Sequence, residues 1–287
     1  KNGEKDSAQN LVSKLIKIDE IQDELLSKVM SLYAELTLSE GNWTSFTDSI
    51  RLVQSRLEKA KDKPVAREKA QYWLAESLYR QKKYNESLKE FGALDASAQL
   101  IQVSLEPWVL LRRAQCLGFL NRWVEAGVLA EQSKETFPDF KMAYEFDFVI
   151  GRCQEDEGRL SDARAIYEAI VASENCGSTE TAAMAQWRIG ETFFHQEEYA
   201  KAVRAYHKVD SLFAYRYWRG AALLQAGKCQ ELLGNKKQAS KLYTRLVDGF
   251  PESEFSADAK KRLVGMKIKP SQNDAEVAEQ IKTTSDR

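Results

Sequence analysis

From Leu11 to Leu36, apolar residues recur at alternating gaps of four and three. Leu11, Leu15, Ile18, Gln22, Leu25, Val29, Leu32 and Leu36 hold the stripe, and Gln22 is its one polar interruption. This is nearly four heptads of an amphipathic helix. Ile16, Ile21 and Leu26 widen the stripe beyond a narrow seam. Two readings follow. One is a coiled coil that oligomerises the chain, with Gln22 setting its register. The other is a helix packed on the protein's own body, its second half serving as the first helix of a hairpin. Further along, paired helical patterns flank short polar breaks: Arg80-Gln81-Lys82-Lys83, Asp156-Glu157-Gly158-Arg159, Gln196-Glu197-Glu198 and Gly234-Asn235-Lys236-Lys237. A bulky residue opens the second helix: Tyr84, Trp123, Leu160 or Tyr199. The five prolines fall between these segments and no period-two run stands out, so the pattern predicts an all-α chain.

Five times, a small residue is followed twelve positions later by another small residue, and four after that by a helix-packing residue. The sets are Ala75/Ser87/Phe91, Ala114/Ala126/Ala130, Gly151/Ala163/Tyr167, Gly190/Ala202/Tyr206 and Gly227/Ala239/Tyr243. Their first members lie 39, 37, 39 and 37 residues apart. A fixed period in this range means stacked helical hairpins rather than one globular core. Antiparallel helices approach closely only where side chains are small, so Gly or Ala marks each crossing. The aromatic one turn later is expected to fill the space toward the next repeat. Ala34, Gly41, Trp43, Phe46 and Ile50 fall at matching offsets and predict a partial leading repeat. At the other end, Phe250-Pro251-Glu252-Ser253 leads into a short final helix, capped by Ser253 or a residue near it and covering the last repeat. The expected organisation is residues 1–62 as a long N-terminal helix plus the leading repeat, and 63–266 as five repeats with the capping helix. Residues 267–287, with Pro270, mixed charge and few apolar residues, are expected to form a disordered tail.

These residues resemble the tetratricopeptide repeat family over about 66–266. Gly151, Gly158, Ala163 and Tyr167 carry the likeness in the third repeat. Leu223, Gly227, Gly234, Ala239, Tyr243 and a closing Pro251 carry it in the fifth. The period exceeds the family's usual one, which predicts lengthened helices or turns. Ser87 and Ala130 also replace the expected Ala and aromatic. The resemblance implies a right-handed α-α superhelix whose first helices line the inner side. By offset, it places Tyr72, Glu76, Tyr79, Trp108, Leu111, Gln115, Phe148, Arg152, Trp187, Glu191, Phe194, Leu224 and Lys228 in a partner-binding groove. Such an aromatic channel suits a peptide or amphipathic helix. The Lys/Asn clamp for a C-terminal carboxylate is not expected, because Tyr72, Leu111, Phe148, Trp187 and Leu224 hold its slots. The ending resembles those of bacterial envelope tetratricopeptide proteins, such as the Tol–Pal periplasmic coordinator and the outer-membrane assembly lipoprotein. That implies a periplasmic or envelope adaptor, the alternative being a cytoplasmic one.

Charge and chemistry narrow the function further. Net charge is −1 across 42 basic and 43 acidic residues, which argues against a nucleic-acid binder. No stretch approaches the eighteen apolar residues of a membrane-spanning helix. The chain opens at Lys1, and an export signal or lipid-attachment site upstream is an expectation. No phosphate loop, dinucleotide fingerprint, zincin motif or nucleophile elbow occurs, so no enzyme, cofactor or metal is expected. His195 and His207 fall on different helices and read as solvated. Cys116, Cys153 and Cys229 share one slot in three repeats, too far apart for disulfides, and read as buried packing residues. The predicted function is non-catalytic protein–protein interaction. The alternatives are self-association through residues 11–36 and glycan binding by the Trp187/Glu191 pair.

Overall fold

The computed structural model describes residues 10–16, 18, 21–59, 62–95 and 105–266. The expected tail at 267–287 lies outside them. A short helical segment over 10–15 precedes thirteen helices, and no strand occurs among the described residues. The helices are α1 (Asp23–Glu40), α2 (Trp43–Leu57), α3 (Pro64–Arg80), α4 (Tyr84–Asp95), α5 (Glu106–Phe119), α6 (Trp123–Thr136) and α7 (Ala143–Asp156). They continue as α8 (Leu160–Ala172), α9 (Glu180–His195), α10 (Tyr199–Leu212), α11 (Arg216–Leu232), α12 (Lys236–Gly249) and α13 (Glu254–Gly265). The chain forms two compact units, 1–159 and 160–287.

The first unit holds the hairpins α1–α2, α3–α4 and α5–α6, followed by α7. Within it, each second helix packs against its own partner and against the next hairpin's first helix, and α3 touches α5, which touches α7. The second unit opens with α8. It continues with α9–α10 and α11–α12 and closes with α13 on α11 and α12. Ser253 caps α13, its hydroxyl accepting from the Phe255 amide at 3.3 Å. The 1–62 boundary does not separate a layer. Ile16, Met30, Phe46 and Ile50 share one buried core with Ala66, Ala70 and Leu78 of α3, because α1 and α2 bury their apolar faces on it.

The N-terminal stripe is corrected in two ways. It is not one helix: the described residues Ile18, Ile21 and Gln22 are non-helical between the 10–15 segment and α1. The Arg56 guanidinium donates to the Ile16 carbonyl at 3.0 Å, meeting an acceptor that continued helix would have used. The buried face also follows the wider stripe rather than the heptad seam: Val29 is buried, as are Ile16, Ile21 and Leu26 beside the seam. Val12, Ile16, Leu26, Met30 and Tyr33 are buried, whereas Leu11, Ile18, Leu25 and Leu32 are exposed. The reason is the broad surface of α2 and α3, which a helix can cover only with a wide stripe.

The hairpin turns repeat one geometry. A residue with positive φ lies seven positions after each small residue: Lys82, Asn121, Gly158, Glu197 and Gly234. The amide that follows it reaches back to a carbonyl of the last helical turn, as in Lys83 N–H to Leu78 O and Asn235 N–H to Gln230 O. This is the Schellman arrangement, which satisfies the last carbonyls of the first helix. The second helix starts two residues later, at Tyr84, Trp123, Leu160, Tyr199 and Lys236. The hairpin turns are thus equally short, and the added length of the period lies in the helices and the connections between hairpins.

One packing expectation is extended. A Cβ on Gly190 would come within 2.6 Å of Tyr206 Cδ1, and one on Gly227 within 2.7 Å of Tyr243 Cζ. Each tyrosine therefore lies over the glycine of its own hairpin, and Tyr206 at the same time shares a core with Leu223 and Cys229 of the next repeat. In the first repeat, Ser87 keeps the crossing close by donating its hydroxyl to the Ala75 carbonyl at 2.8 Å. All four cysteines are free and buried. Burial pushes the Cys116 thiol up to about 11 and that of Cys229 up to about 12, so both stay protonated at neutral pH. His195 and His207 are exposed.

Candidate functional site

The face under consideration is carried by α3, α5 and α7 in the first unit and by α9 and α11 in the second. On α3, Tyr72, Glu76 and Tyr79 fall at intervals of four and three and so share one side of the helix. Glu76 is buried, and two arginines hold its carboxylate. Arg112 grips it in a bidentate pair, Nε to Oε2 at 2.7 Å and Nη2 to Oε1 at 3.0 Å, and Arg80 Nε reaches Oε1 at 2.8 Å. Arg112 also donates to Gln115 Oε1 at 2.7 Å, as does the Tyr79 hydroxyl at 3.1 Å. Its guanidinium lies 4.5 Å from the Tyr79 ring centroid, a cation–π contact. Burial opposes the charge on Arg112, but Glu76 beside it wins and raises its pKa. Burial, reinforced by Glu76, pushes the Tyr72 phenol up to about 12.

The second unit repeats the device with a neutral donor. Glu191, also buried, accepts from the Tyr206 hydroxyl at 2.5 Å and from Gln225 Nε2 at 2.8 Å. In each unit, a buried glutamate one position after the small residue is met by the residue two positions before the next one: Arg112 for Glu76, Gln225 for Glu191. Both contacts fix neighbouring first helices in register. Trp187 packs on Trp218, with centroids 5.7 Å apart, and on Tyr206 at 6.5 Å. Lys228 pairs with Asp258 of the capping helix at 3.5 Å.

The predicted residues divide by burial. Tyr72, Tyr79, Trp108, Gln115, Phe148, Arg152, Trp187, Phe194 and Lys228 are half-buried. Glu76, Leu111, Glu191 and Leu224 are buried, and this corrects their placement as lining residues. The two glutamates are enclosed by their partners, and the two leucines point into the packing between helices. On α5 the open stripe is Trp108, Arg112, Gln115 and Phe119, so Arg112 takes the position assigned to Leu111. Phe119, 58% exposed, stacks on Tyr84 with centroids 4.4 Å apart and planes 10° from parallel. Arg112, Gln225 and Phe119 were missed by offset carry-over. The four-three-four spacing from Trp108 through Arg112 and Gln115 to Phe119 is the signal that finds two of them. Among the described residues, no group of three or more His, Cys, Asp or Glu could hold a metal ion, and no helix is long and apolar enough to cross a membrane.

A tetratricopeptide repeat profile matches residues 151–212, and a second matches 221–253. Residues 151–212 and 221–253 are tetratricopeptide repeats. The repeat sets read from the sequence coincide with both matches, at Gly151 through Tyr206 and at Gly227 through Tyr243. No curated protein sequence matches the chain. Among solved structures, this repeat protein is similar to the apo quorum sensor NprR from B. thuringiensis, at TM-score 0.70 and 13% identity, over 95% of this chain and 83% of that one. It is similar to PilW, a widely conserved type IV pilus biogenesis factor, at TM-score 0.62 and 19% identity, over 81% of this chain and 97% of that one. It is also similar to the Rap conjugation regulator of plasmid pLS20 in complex with the Phr* peptide, at TM-score 0.59 and 13% identity, over 94% and 82%. At these identities the likeness concerns the fold.

Proposed function

We propose that this protein is a non-catalytic interaction scaffold that binds a peptide or amphipathic helix on the faces of its first helices. The observation that carries this reading is the partial exposure of Tyr72, Tyr79, Trp108 and Phe148 in the first unit and of Phe194 in the second, beside Glu76 and Glu191, whose carboxylates are already hydrogen-bonded. A partner's apolar anchors would find aromatic surface there without displacing a structural hydrogen bond. NprR with its cognate peptide, at TM-score 0.60 and 12% identity over 90% of this chain and 79% of that one, and Rap with Phr* are peptide complexes of similar fold, which supports the reading. The test is a peptide selected from a random library against the full chain, then fitted with a photoreactive group. Crosslinks at Tyr72, Trp108, Phe148 or Phe194 are expected, and a selected peptide that crosslinks at none of these aromatic residues overturns the proposal.

The finer role we assign is assembly or coordination of a bacterial envelope complex, supported by the similarity to PilW. Fractionation of the source cell tests it, and recovery with the cytoplasmic fraction contradicts it. The glycan reading loses its carboxylate, because Glu191 is buried between Tyr206 and Gln225. Self-association has one observation in its favour: Leu25 and Leu32 lie seven residues apart on α1, each about half exposed (50% and 47%). Concentration-dependent mass that Leu25→Glu abolishes would support it, and a monomer at every concentration would end it.

A further inference from the structure

A second surface lies in the second unit, away from the first-helix face. There α8 and α10 flank one stretch of α9 and leave a groove of about 420 Å³. Val171, Ile189, Phe193 and Ala205 give it an apolar floor. Beneath that floor, buried Gln186 donates Nε2 to the Ala205 carbonyl at 3.1 Å and pins α9 to α10. One wall is basic. Lys201, Arg204 and Lys208 follow each other on α10 at gaps of three and four, so they share one side of the helix. Glu168 on α8 is the acidic residue that lines the groove.

The charges here are only partly used. Phe193 is held between two cations, with Arg164 3.8 Å and Lys201 5.5 Å from its ring centroid. Arg164 also donates to Thr192 Oγ1 at 3.0 Å and to Gln196, and Lys201 pairs with Glu198. Arg204 and Lys208 are exposed and make no ion pair among the described residues. An apolar floor, an ordered aromatic ring and two unpaired cations one helical turn apart therefore converge on one groove.

We propose that this groove docks an acidic amphipathic helix of another protein. Such a helix would lay its apolar stripe along Val171 and Phe193 and set carboxylates one turn apart against Arg204 and Lys208. Helix-in-groove docking needs this pairing of an apolar floor with side chains spaced at three and four. Exposed cations add little affinity singly, but in a row beside an apolar floor they steer encounter and fix register. A groove of this volume takes several side chains rather than one. A nucleic acid would also meet the cations, but Glu168 in the same lining opposes a phosphate backbone.

The probe is a labelled, helix-forming peptide of about five turns, roughly 18 residues, with glutamates along one side and leucines along the other. Binding to the full chain is read by fluorescence anisotropy. Arg204→Glu combined with Lys208→Glu should weaken it about tenfold, as should replacing the peptide's glutamates with glutamine. Rising salt should weaken it further. Lys241→Glu, exposed on α12 and outside both surfaces, should leave the affinity within about twofold, so a change of net charge alone is not the cause. The proposal is overturned if acidic and glutamine peptides bind alike, if the charge-reversed chain binds as tightly as the parent, if a single-stranded oligonucleotide binds in preference, or if the acidic peptide does not bind.

Discussion

Tyr243 and Tyr206 cover helix positions where no side chain fits. Gly227→Ala or Gly190→Ala would drive a methyl group into a ring that is itself fully buried. Each should destabilise the protein by about 1–3 kcal/mol, read from the midpoint of chemical denaturation. A midpoint unchanged in both variants would contradict the packing described. The hairpin turns make the opposite prediction. Lys82 and Glu197 adopt positive φ (61° and 60°), which Gly158 and Gly234 adopt freely in equivalent turns. Lys82→Gly should therefore stabilise by a few tenths to about 1 kcal/mol, the gain from relieved strain exceeding the added chain entropy. Both effects trace to the rhythm in the sequence. The small residues announced the crossings, and the glycines at 158 and 234 announced two of the turns. Lys82, Asn121 and Glu197 gave no such signal, because only the backbone shows that they share the left-handed slot.

At the level of helices, α1 is tied to α3 by more than apolar contact. The Asp23 carboxylate accepts from the amides of Val65 and Ala66, at 3.1 and 2.7 Å, and so caps the start of α3 from the side. Anionic caps of this kind also meet the positive end of the helix dipole. Asp23→Ala should cost about 1 kcal/mol. Faster hydrogen exchange in the first turn of α3 would mark the loss, and unchanged exchange there would argue against the cap. This tie was not legible in the sequence, since 42 residues separate the partners. The stripe of α1 was legible as a helix but not in its facing. Of the heptad positions, Val29 is buried while Leu11, Ile18, Leu25 and Leu32 stay exposed, and the widening residues Ile16, Ile21 and Leu26 are buried beside them. The same holds for α5. Offsets carried over from the family selected Leu111, which is buried, and passed over Arg112, which is bound to Glu76.

Across the molecule, buried phenols make a shared prediction about pH. Burial raises Tyr72 to about 12, and it raises Tyr79, Tyr206 and Tyr243 as well. A raised phenol pKa favours the neutral, folded form. Its stability contribution is complete below the unfolded phenol value of about 10 and is lost as pH climbs through the folded value. The melting temperature should hold up to about pH 9 and fall above about pH 10, and a flat profile to pH 12 would contradict this. The fold class and the repeat register could be read from spacing alone, because steric crossings leave a periodic trace. The binding face could be read only in outline, because half-exposure depends on which side of each first helix its neighbours cover. The most direct test compares two variants of the full chain with one selected peptide, measuring affinity and melting temperature together. Trp108→Ala and Phe148→Ala, both in the first unit, should each weaken binding about tenfold or more and leave the melting temperature nearly unchanged. Intact binding with a large fall in melting would show these aromatics to be core, and would contradict the scaffold face.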